Sequence, residues 1–476
     1  MIGFKGYSIS ECRIKIPESA IRNPHSEKFM HFDLIVIGMG LSGLMAAKTA
    51  AEAGQKTLII GKGMGSLSLF SNSIDVLGNL PKAMKMEPHK QAPDVDTKAR
   101  RGEHPVSEGQ FTHGQGSGSL GTGMSDGLSQ RIKDRPKHPY SKVGLDRIEE
   151  ALSSFTSLFP PPYSFQAVGN GNCLIPTGAG TLRPTYLIPI TMVAGTSLKK
   201  GDALIVGFKG FKDFYADYVA DQLNCRGVTL SLSETFREEI TATALARLME
   251  RESFRETIGR AIKEKIYGET RVGLPALLGV KESWKVKEKL EEIIGAEVFE
   301  IPTLPPSVPG LRIFNRFKEW VIQKGVTFLL GYSVSKATLK GKRCERIDVF
   351  NPPIFNSYSA DRYIPATGRF IGGGLVADDE KIFEPIFNLP VIQPQSREEW
   401  FGKSFFNDSP HPVHQTGILT DSSLRPLDEK GESVLENVWV AGSILADHHS
   451  VDEKSREGIE ITTGYMAAKQ AIEHGA

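Results

Sequence analysis

The feature that most constrains this chain is a glycine turn between an apolar segment and a helical one. Residues 33–63 read DLIVIGMGLSGLMAAKTAAEAGQKTLIIGKG, in which Gly38, Gly40 and Gly43 form the pattern G-x-G-x-x-G. The apolar run before the turn is short and rich in β-branched residues, which is typical of a buried parallel strand. Small residues at helical spacing follow the turn, and a second apolar run closes the unit. This order predicts a dinucleotide-binding strand–helix–strand unit.

Each part of the turn has its own role in binding a phosphate. Gly38 allows the tight turn, Gly40 lets the backbone approach a pyrophosphate, and Gly43 lets the helix pack closely on the strand. The helix then begins at Leu41 and Ser42, whose free N–H groups and positive dipole end attract an anion. The alternative is that the three glycines serve packing alone.

The second strand lacks the acidic residue that usually bonds the ribose hydroxyls. That acid is expected about 20 residues after the turn, where positions 58–62 read LIIGK. Lys62 could meet a phosphate or simply lie in solvent at the strand end. Either the adenosine half of the ligand is held differently, or the ligand has no adenosine.

Hydroxyl residues and glycine-ended segments elsewhere add candidates for the same site. The serines of SLSLFSNSIDVLGNLP could cap a following helix or contact the ligand. The segments IPATGRF and NVWVAGS are predicted strands that end at a glycine, and a helix is expected to begin near Gly458, with N–H groups free to point at a flavin. The predicted cofactor-binding residues beyond the first turn are therefore Lys62, Ser71, Ser73, Gly368, Gly442, Ser443, Gly458 and Ile459.

Composition excludes several classes of function. The 476 residues carry a formal net charge of +1, so no global field attracts nucleic acid. The four cysteines contain no Cys-x-x-Cys pair, so an iron–sulfur or zinc site within the chain is not expected, and their scatter fits a reducing compartment. No apolar run approaches the roughly 20 residues that a spanning helix needs. The N-terminus has no continuous apolar core, so no signal peptide is expected there.

The fold class predicted from these segments is α/β, with a Rossmann-like domain that contains a mostly parallel sheet and an antiparallel β-meander. Residues 1–31 form an N-terminal extension, and residues 32–81 and 326–476 form one discontinuous domain. Residues 82–139, rich in glycine and serine, are expected to be a flexible insertion. Residues 140–325 are expected to form an inserted second domain of the α+β class.

Several segments carry a resemblance to a known family. They are FSNSIDVLGNLP, HPYSKVG, GTLRPTYL, IPTLPPSVPGLRIFNRF and LRPLDEKGESVLENVWVAGSILA. They resemble the B subunit of anaerobic glycerol-3-phosphate dehydrogenase, and the glycine turn with ATGRFIGGGL looks like flavoproteins of the succinate dehydrogenase and fumarate reductase type. The resemblance runs from about Phe32 to the C-terminal helix, with residues 82–139 outside it.

The resemblance implies a flavin subunit that oxidises sn-glycerol 3-phosphate to dihydroxyacetone phosphate. Its implied partners are a second flavoprotein subunit and an iron–sulfur subunit that anchors the pair to the membrane and leads electrons to a quinone. The implied location is cytoplasmic, peripheral to the inner face of the cell membrane. The implied cofactor is FMN, which would explain the missing ribose acid, with FAD as the alternative because the turn suits a pyrophosphate equally well.

Oxidation of a phosphorylated alcohol requires a base and cationic anchors. The predicted catalytic residues are His448 or His449 as the base, and Arg183, Arg312 and Arg369 as anchors. The alternative is that these histidines and arginines are structural or surface residues. No metal ligands are predicted. Residues 447–457 depart from the family because they are bulky and charged where the family is rich in glycine. This departure leaves open a non-catalytic flavin, assembly or electron-relay subunit of a different redox complex.

Overall fold

The computed structural model describes residues 30–77, 120–196, 198–231, 239–351, 353–404 and 411–474. The predicted N-terminal extension, apart from its last two residues, and the first part of the predicted insertion lie outside the described residues.

Strands and helices alternate in residues 30–61 and 203–323, whereas strands follow one another in residues 165–189 and 327–418. The strands are β1 (Met30–Ile37), β2 (Thr57–Gly61), β3 (Phe165–Ala167), β4 (Cys173–Pro176), β5 (Leu182–Thr185), β6 (Leu187–Pro189), β7 (Ala203–Phe208), β8 (Arg226–Leu230), β9 (Arg271–Pro275), β10 (Glu297–Ile301), β11 (Thr327–Leu330), β12 (Ser333–Lys340), β13 (Arg343–Asn351), β14 (Ile354–Pro365), β15 (Val376–Ala377), β16 (Ile382–Phe383), β17 (Val391–Ile392) and β18 (Gly417–Ile418). The helices are α1 (Leu41–Glu52), α2 (Thr122–Asp134), α3 (Pro139–Val143), α4 (Leu145–Thr156), α5 (Ala216–Gln222), α6 (Ala242–Met249), α7 (Glu252–Lys263), α8 (Ser283–Ile294), α9 (Val308–Gln323), α10 (Ser450–Glu453) and α11 (Arg456–Glu473).

A six-stranded sheet joins the two ends of the chain and carries the glycine turn. Its order is β11-β2-β1-β14-β13-β12, with β1 parallel to β2 and β14 and with β12, β13 and β14 antiparallel. The core of β1 is buried because α1 covers the sheet and α11 packs in turn on α1. The prediction of a mostly parallel Rossmann-like sheet with an antiparallel meander is confirmed.

A second sheet has its own hydrophobic core. Its order is β10-β9-β7-β8, and all its pairings are parallel. Strands and helices alternate in this sheet, while the antiparallel pairs β3 with β6 and β4 with β5 lie in the same range of the expected second domain. The strands β8, β9 and β10 have five residues each, too short to stand out between amphipathic helices in the sequence.

The second hydrophobic core covers a shorter range of the chain than the second domain predicted for residues 140–325. The second core runs from Ala203 to Val308, whereas Phe155 of α4 and Phe317 of α9 belong to the first core. Helices on both sides of the second sheet in the sequence therefore pack on the glycine-turn domain.

Two local expectations are corrected. The sequence predicts a flexible insertion through residue 139, but α2 forms within it because Met124 and Leu128 are fully buried anchors. The sequence also places a capped helix after the serines near residue 70. The structure has instead a short 3-10 turn at Gly65–Leu69 and then irregular chain, in which Ile74 pairs with Leu187.

Among the described helices, none combines the length and the apolar character needed to cross a membrane.

Candidate functional site

The glycine turn leaves β1 at its carboxyl end and places two of its glycines against other backbone. Gly38 has φ +116°, and a Cβ built there would lie 2.2 Å from the carbonyl oxygen of Ala366. A Cβ on Gly43 would lie 1.9 Å from the carbonyl oxygen of Gly38. Any side chain at either position would collide with main chain, so both glycines are required by packing.

Gly40 differs from these two because it faces open space. A Cβ built on it would have no atom within 4 Å. Gly40 is also the N-cap of α1, whose first turn contains no acidic residue. The first N–H groups of a helix have no partner within the helix, and the Ser42 hydroxyl beside them is buried without a partner. These features fit the pyrophosphate of a dinucleotide cofactor at this turn.

The missing ribose acid has a steric cause. A Cβ on Gly61, at the end of β2, would lie 2.8 Å from Cγ of Met39 and 3.0 Å from its backbone nitrogen. The turn itself therefore occupies the space that an acidic side chain would need. Lys62, the next residue, is exposed, and its Nζ lies 4.0 Å from a Cβ built on Gly373.

Three distant segments close around the turn. Gly442 has φ +87°, and a Cβ on it would lie 2.9 Å from Cβ of Ser42, while Gly464 of α11 abuts the Ser42 carbonyl. Gly368 follows β14, and its Cβ would lie 3.6 Å from the Ser443 hydroxyl. The structure thus brings the predicted cofactor residues Gly368, Gly442 and Ser443 close to the glycine turn.

A loop after β2 lies directly against the turn. A Cβ on Gly65 would be 2.9 Å from Cα of Gly40, and the Ser66 hydroxyl donates to the Glu460 carboxylate at 3.2 Å. Glu460 lies on α11, and burial, aided by the charge of Glu457, raises its pKa to about 7. The predicted serines lie farther along the same loop, with the Ser71 and Ser73 hydroxyls 3.4 Å apart.

A second buried carboxyl follows this loop. Burial first, and then the charge of Glu457, raise the pKa of Asp75 to about 6, although Arg183 pairs with its Oδ2. Oδ1 of Asp75 and Oε2 of Glu457 are both buried without a partner. Arg183, predicted as a substrate anchor, is therefore engaged by a carboxylate.

The sequence misses the three buried carboxyls of Asp75, Glu457 and Glu460. Their positions in the sequence could have identified them, since Asp75 follows the serine-rich loop and the two glutamates lie on either side of Gly458.

Gly458 and Ile459 do not offer free N–H groups. Helix α11 begins at Arg456, the Gly458 N–H donates to the Asp75 carbonyl at 2.9 Å, and the Ile459 N–H donates to Ser455. A Cβ on Gly458 would lie 2.2 Å from the Tyr140 hydroxyl. These two residues pack the N-terminus of α11 against α3, which does not fit their predicted contact with a flavin.

Arg312 also has a different place from the predicted one. Its guanidinium donates two bonds of 2.7 Å to the carboxylate of Glu300 and a third of 2.7 Å to the Gly279 carbonyl. Both side chains of the pair are buried, so Arg312 joins β10 to α9, and each of its three nitrogens already donates a hydrogen bond.

The remaining predicted catalytic residues form one buried cluster. Arg369 donates to the carbonyls of His414, Leu445 and His448, and burial lowers its pKa to about 10. His448 is fully buried, and burial followed by the nearby Arg369 charge lowers its pKa well below the usual range. Its Nδ1 lies 3.3 Å from Arg369, and its Nε2 has no partner.

His449 contributes to the same cluster by a different route. Its Nδ1 accepts from the N–H of Asp452 and caps α10, and its Nε2 lies 2.7 Å from Nδ1 of His414. His138 on the other side lies 3.0 Å from the Glu453 carboxylate. Burial alone would raise the pKa of Glu453, but the hydrogen bond from His138 and the charge of Arg131 lower it to about 2.

Comparisons with known proteins bear on this site. Residues 33–458 match the family model described as FAD binding domain. The probable B subunit of anaerobic glycerol-3-phosphate dehydrogenase from Halobacterium salinarum is 30% identical, covering 93% of this chain and 98% of the relative. The B subunit of anaerobic glycerol-3-phosphate dehydrogenase from Vibrio cholerae is also 30% identical, covering 93% of this chain and 97% of the relative.

The chain belongs to this family of dehydrogenase B subunits. The recognition made from the sequence segments is confirmed, and so is the class of flavin-binding oxidoreductase. The family match is to an FAD-binding domain, so the expectation of FMN is not supported. The name of the family implies an assembly of several subunits.

A solved open conformation of a flavocytochrome c3 fumarate reductase aligns over 94% of this chain and 79% of its own, at 8% identity and a TM-score of 0.40. A score this low carries no weight beside the sheet topology and the family match.

Proposed function

We propose that this chain is the FAD-binding subunit of a complex that oxidises sn-glycerol 3-phosphate to dihydroxyacetone phosphate. Electrons then pass through an iron–sulfur partner to a quinone, and that partner and a second flavoprotein subunit hold the chain at the inner face of the cell membrane. The observation that carries the proposal is the open face of Gly40 at the N-terminus of α1, in a chain similar to the named relatives over 93% of its length.

The residues of the turn would hold the cofactor through its pyrophosphate. Gly40 would leave room for the phosphates, the first N–H groups of α1 would donate to them, and the unpartnered Ser42 hydroxyl would add a donor. Bound FAD would supply a hydride acceptor. Lys62, which directly follows β2 and is exposed, would be a further cation for a phosphate of the cofactor.

The chain offers two kinds of proton acceptor for an alcohol. His448 is buried and held neutral by its surroundings, and the carboxyl of Asp75 has its pKa raised to about 6, close to the range that suits a general base. Arg183 and Arg369 remain the proposed anchors for the substrate phosphate, whereas the pairing of Arg312 removes it from that role.

A second candidate function is a non-catalytic flavin, assembly or electron-relay subunit. The observation that favours it is that all three predicted anchors are already engaged. Arg312 pairs with Glu300, Arg183 pairs with Asp75, and Arg369 donates to backbone carbonyls. A substrate phosphate would have to displace one of these contacts.

The experiment compares the purified chain with Gly40→Ala. The wild-type protein should be yellow, and denaturation should release a cofactor with the mass of FAD. In Gly40→Ala the new methyl group would meet no protein atom within 4 Å, and it would take up the open space that we assign to the phosphates. We expect normal folding and an at least 10-fold weaker flavin affinity, measured by fluorescence titration.

The matched control is Gly171→Ala, because a Cβ there also meets no atom within 4 Å. It should bind flavin as the wild type does. A wild-type protein that takes up neither FAD nor FMN would end the proposal, and release of FMN alone would remove the FAD assignment.

A further inference from the structure

The loop of residues 65–72 is held from two sides. On one side Gly65 abuts Gly40, and Ser66 is bonded to α11 through Glu460. On the other side lies the N-terminal turn of α9. The loop therefore lies between the glycine turn and the N-terminal turn of α9, the helix that follows β10.

The N-terminal turn of α9 contacts the loop through its main chain. The Ser307 N–H donates to the Ser68 carbonyl at 2.9 Å, and the Ser307 hydroxyl donates to the Phe70 carbonyl at 2.6 Å. The same hydroxyl accepts from the Gly310 N–H at 2.9 Å and so caps the helix. Contacts to main-chain carbonyls fix the path of the loop whatever its side chains are.

Gly310 allows α9 to approach the loop this closely. A Cβ built there would lie 1.7 Å from the Leu67 carbonyl oxygen and 3.2 Å from Cβ of Phe70. Any larger residue would push the loop away from α9, in the direction of the turn.

The buried pair of Glu300 and Arg312 fixes the far end of the loop. The Glu300 carboxylate accepts from Arg312, from the Thr191 hydroxyl at 2.7 Å and from the Leu278 N–H at 3.0 Å. The Asn72 amide also reaches it at 3.4 Å, and Asn72 has φ +66°. The second sheet thus holds the loop through β10.

We propose that the N-terminal turn of α9, with Ser307 and Gly310, positions the 65–72 loop against Gly40 and thereby sets the affinity of the flavin site. Ser307, Gly310 and Arg312 are positioning residues, since they act on the cofactor through the loop. The inference rests on the proposed function in taking a flavin as the ligand of the turn. It gives the proline-containing segment IPTLPPSVPGLR a role that is independent of substrate chemistry.

The test uses the full chain and compares Ser307→Ala, Ser307→Thr and Gly310→Ala with Gly171→Ala as the control. Three quantities are measured for each protein: the FAD dissociation constant, the midpoint of thermal unfolding without flavin, and hydrogen exchange of the amides in residues 65–72. Ser307→Ala removes one bond to the loop, and Ser307→Thr keeps the hydroxyl.

We expect the FAD dissociation constant to rise at least 10-fold in Gly310→Ala and about 3-fold to 10-fold in Ser307→Ala. Ser307→Thr should restore it to within 2-fold of the wild type. Amide exchange in the loop should accelerate in the two weakened variants, and the unfolding midpoint of Ser307→Ala should fall by no more than a few degrees, as expected for the loss of one helix cap.

Unchanged FAD affinity in both Ser307→Ala and Gly310→Ala would overturn the inference while leaving the proposed function intact. An affinity loss that only follows a loss of folded protein, without rescue by Ser307→Thr, would also overturn it. A wild-type chain that binds no flavin would instead remove the proposed function, and the exchange data would still report whether α9 holds the loop.

Discussion

At the scale of single residues, the end of β2 shows how packing can remove a residue that binding usually requires. Gly61 stands where dinucleotide sites commonly have an acid, because Met39 of the turn fills the space beside it. A ribose at this site would need another partner, and the exposed Lys62 follows directly. The absent acid is therefore compatible with FAD, and it does not by itself indicate a cofactor without adenosine.

Buried carboxyls near the turn give the chain a specific pH dependence. Glu460 is buried on α11, and its pKa is raised from 4.5 to about 7 by burial and by Glu457, against the opposing effects of Arg456 and Ser66. A carboxyl with a raised pKa in the folded state stabilises the fold most at low pH. That contribution is lost as the pH rises from about 4.5 to about 7.

Replacement of Glu460 by Gln should remove this loss. We expect the wild type to lose about 3 kcal/mol more of its free energy of unfolding between pH 5 and pH 8 than Glu460→Gln does. The measurement is urea denaturation at both pH values.

Glu288→Gln is the control, since Glu288 is exposed on α8, and it should keep the wild-type dependence on pH. The raised pKa of Asp75 also makes the free energy of unfolding fall as the pH rises, and it does so in the wild type and in both variants. Parallel curves for the wild type and Glu460→Gln would show that the buried carboxyl is not the source.

At the scale of elements, α11 is a helix buried on most sides that contacts α1, α3, α4 and β14. Gly464 packs on Ser42 of α1, and Gly458 packs on Tyr140 of α3. The Tyr140 hydroxyl also donates to the Val76 carbonyl at 2.5 Å. Small residues at these crossings let the helix approach the turn.

Gly458→Ala should therefore disturb the seating of α11. Its methyl group would lie 2.2 Å from the Tyr140 hydroxyl and 2.8 Å from Cα of Val76. Overpacking of this kind typically costs about 1–3 kcal/mol, and we expect a loss of that size in the free energy of unfolding. Urea denaturation at neutral pH measures it.

Tyr140→Phe serves as the partner substitution because it removes the clashing hydroxyl. The double variant should lose at least about 0.5 kcal/mol less than the sum of the two single losses. Simple additivity would mean that the backbone of Val76, and not Tyr140, limits the space at Gly458.

At the scale of the whole molecule, distant parts of the chain meet in the six-stranded sheet, where β1 pairs with β14 and where the glycine turn and Arg369 follow these two strands. The relatives are named as one subunit of a dehydrogenase, so the activity of a complete complex is not expected from one chain. The arginines support the same expectation. The three predicted anchors Arg183, Arg312 and Arg369 already have hydrogen-bond or ion-pair partners within the described residues.

We expect the isolated chain to bind FAD but to reduce an artificial electron acceptor with glycerol 3-phosphate at less than about one tenth of the rate of the assembled complex. Dye-reduction rates for the chain alone, for the complex and for a complex with Gly40→Ala measure this. Full activity of the isolated chain would exclude the non-catalytic alternative. The complex assembled with the Gly40→Ala chain is the second test. If this chain has lost its flavin and the complex keeps full activity, the chain is a non-catalytic subunit.

Much of the fold could be predicted from local pattern. Gly38, Gly40 and Gly43 indicate the strand–helix–strand unit because each of their roles depends on neighbours a few positions away. The parallel second sheet does not follow from the sequence because three of its four strands have only five residues and give too little periodicity. The helix α2 was hidden because Met124 and Leu128 become anchors only where another element covers them.

The sequence by itself determined the glycine turn, the mixed sheet and the family, since these follow from short-range spacing and from matching segments. The tertiary structure decided which polar groups are free. Asp75 and Arg183 are 108 positions apart, and Asn72 and Glu300 are 228 positions apart. Whether a charge is paired or open to a ligand depends on such distant contacts and on burial, which no local pattern contains.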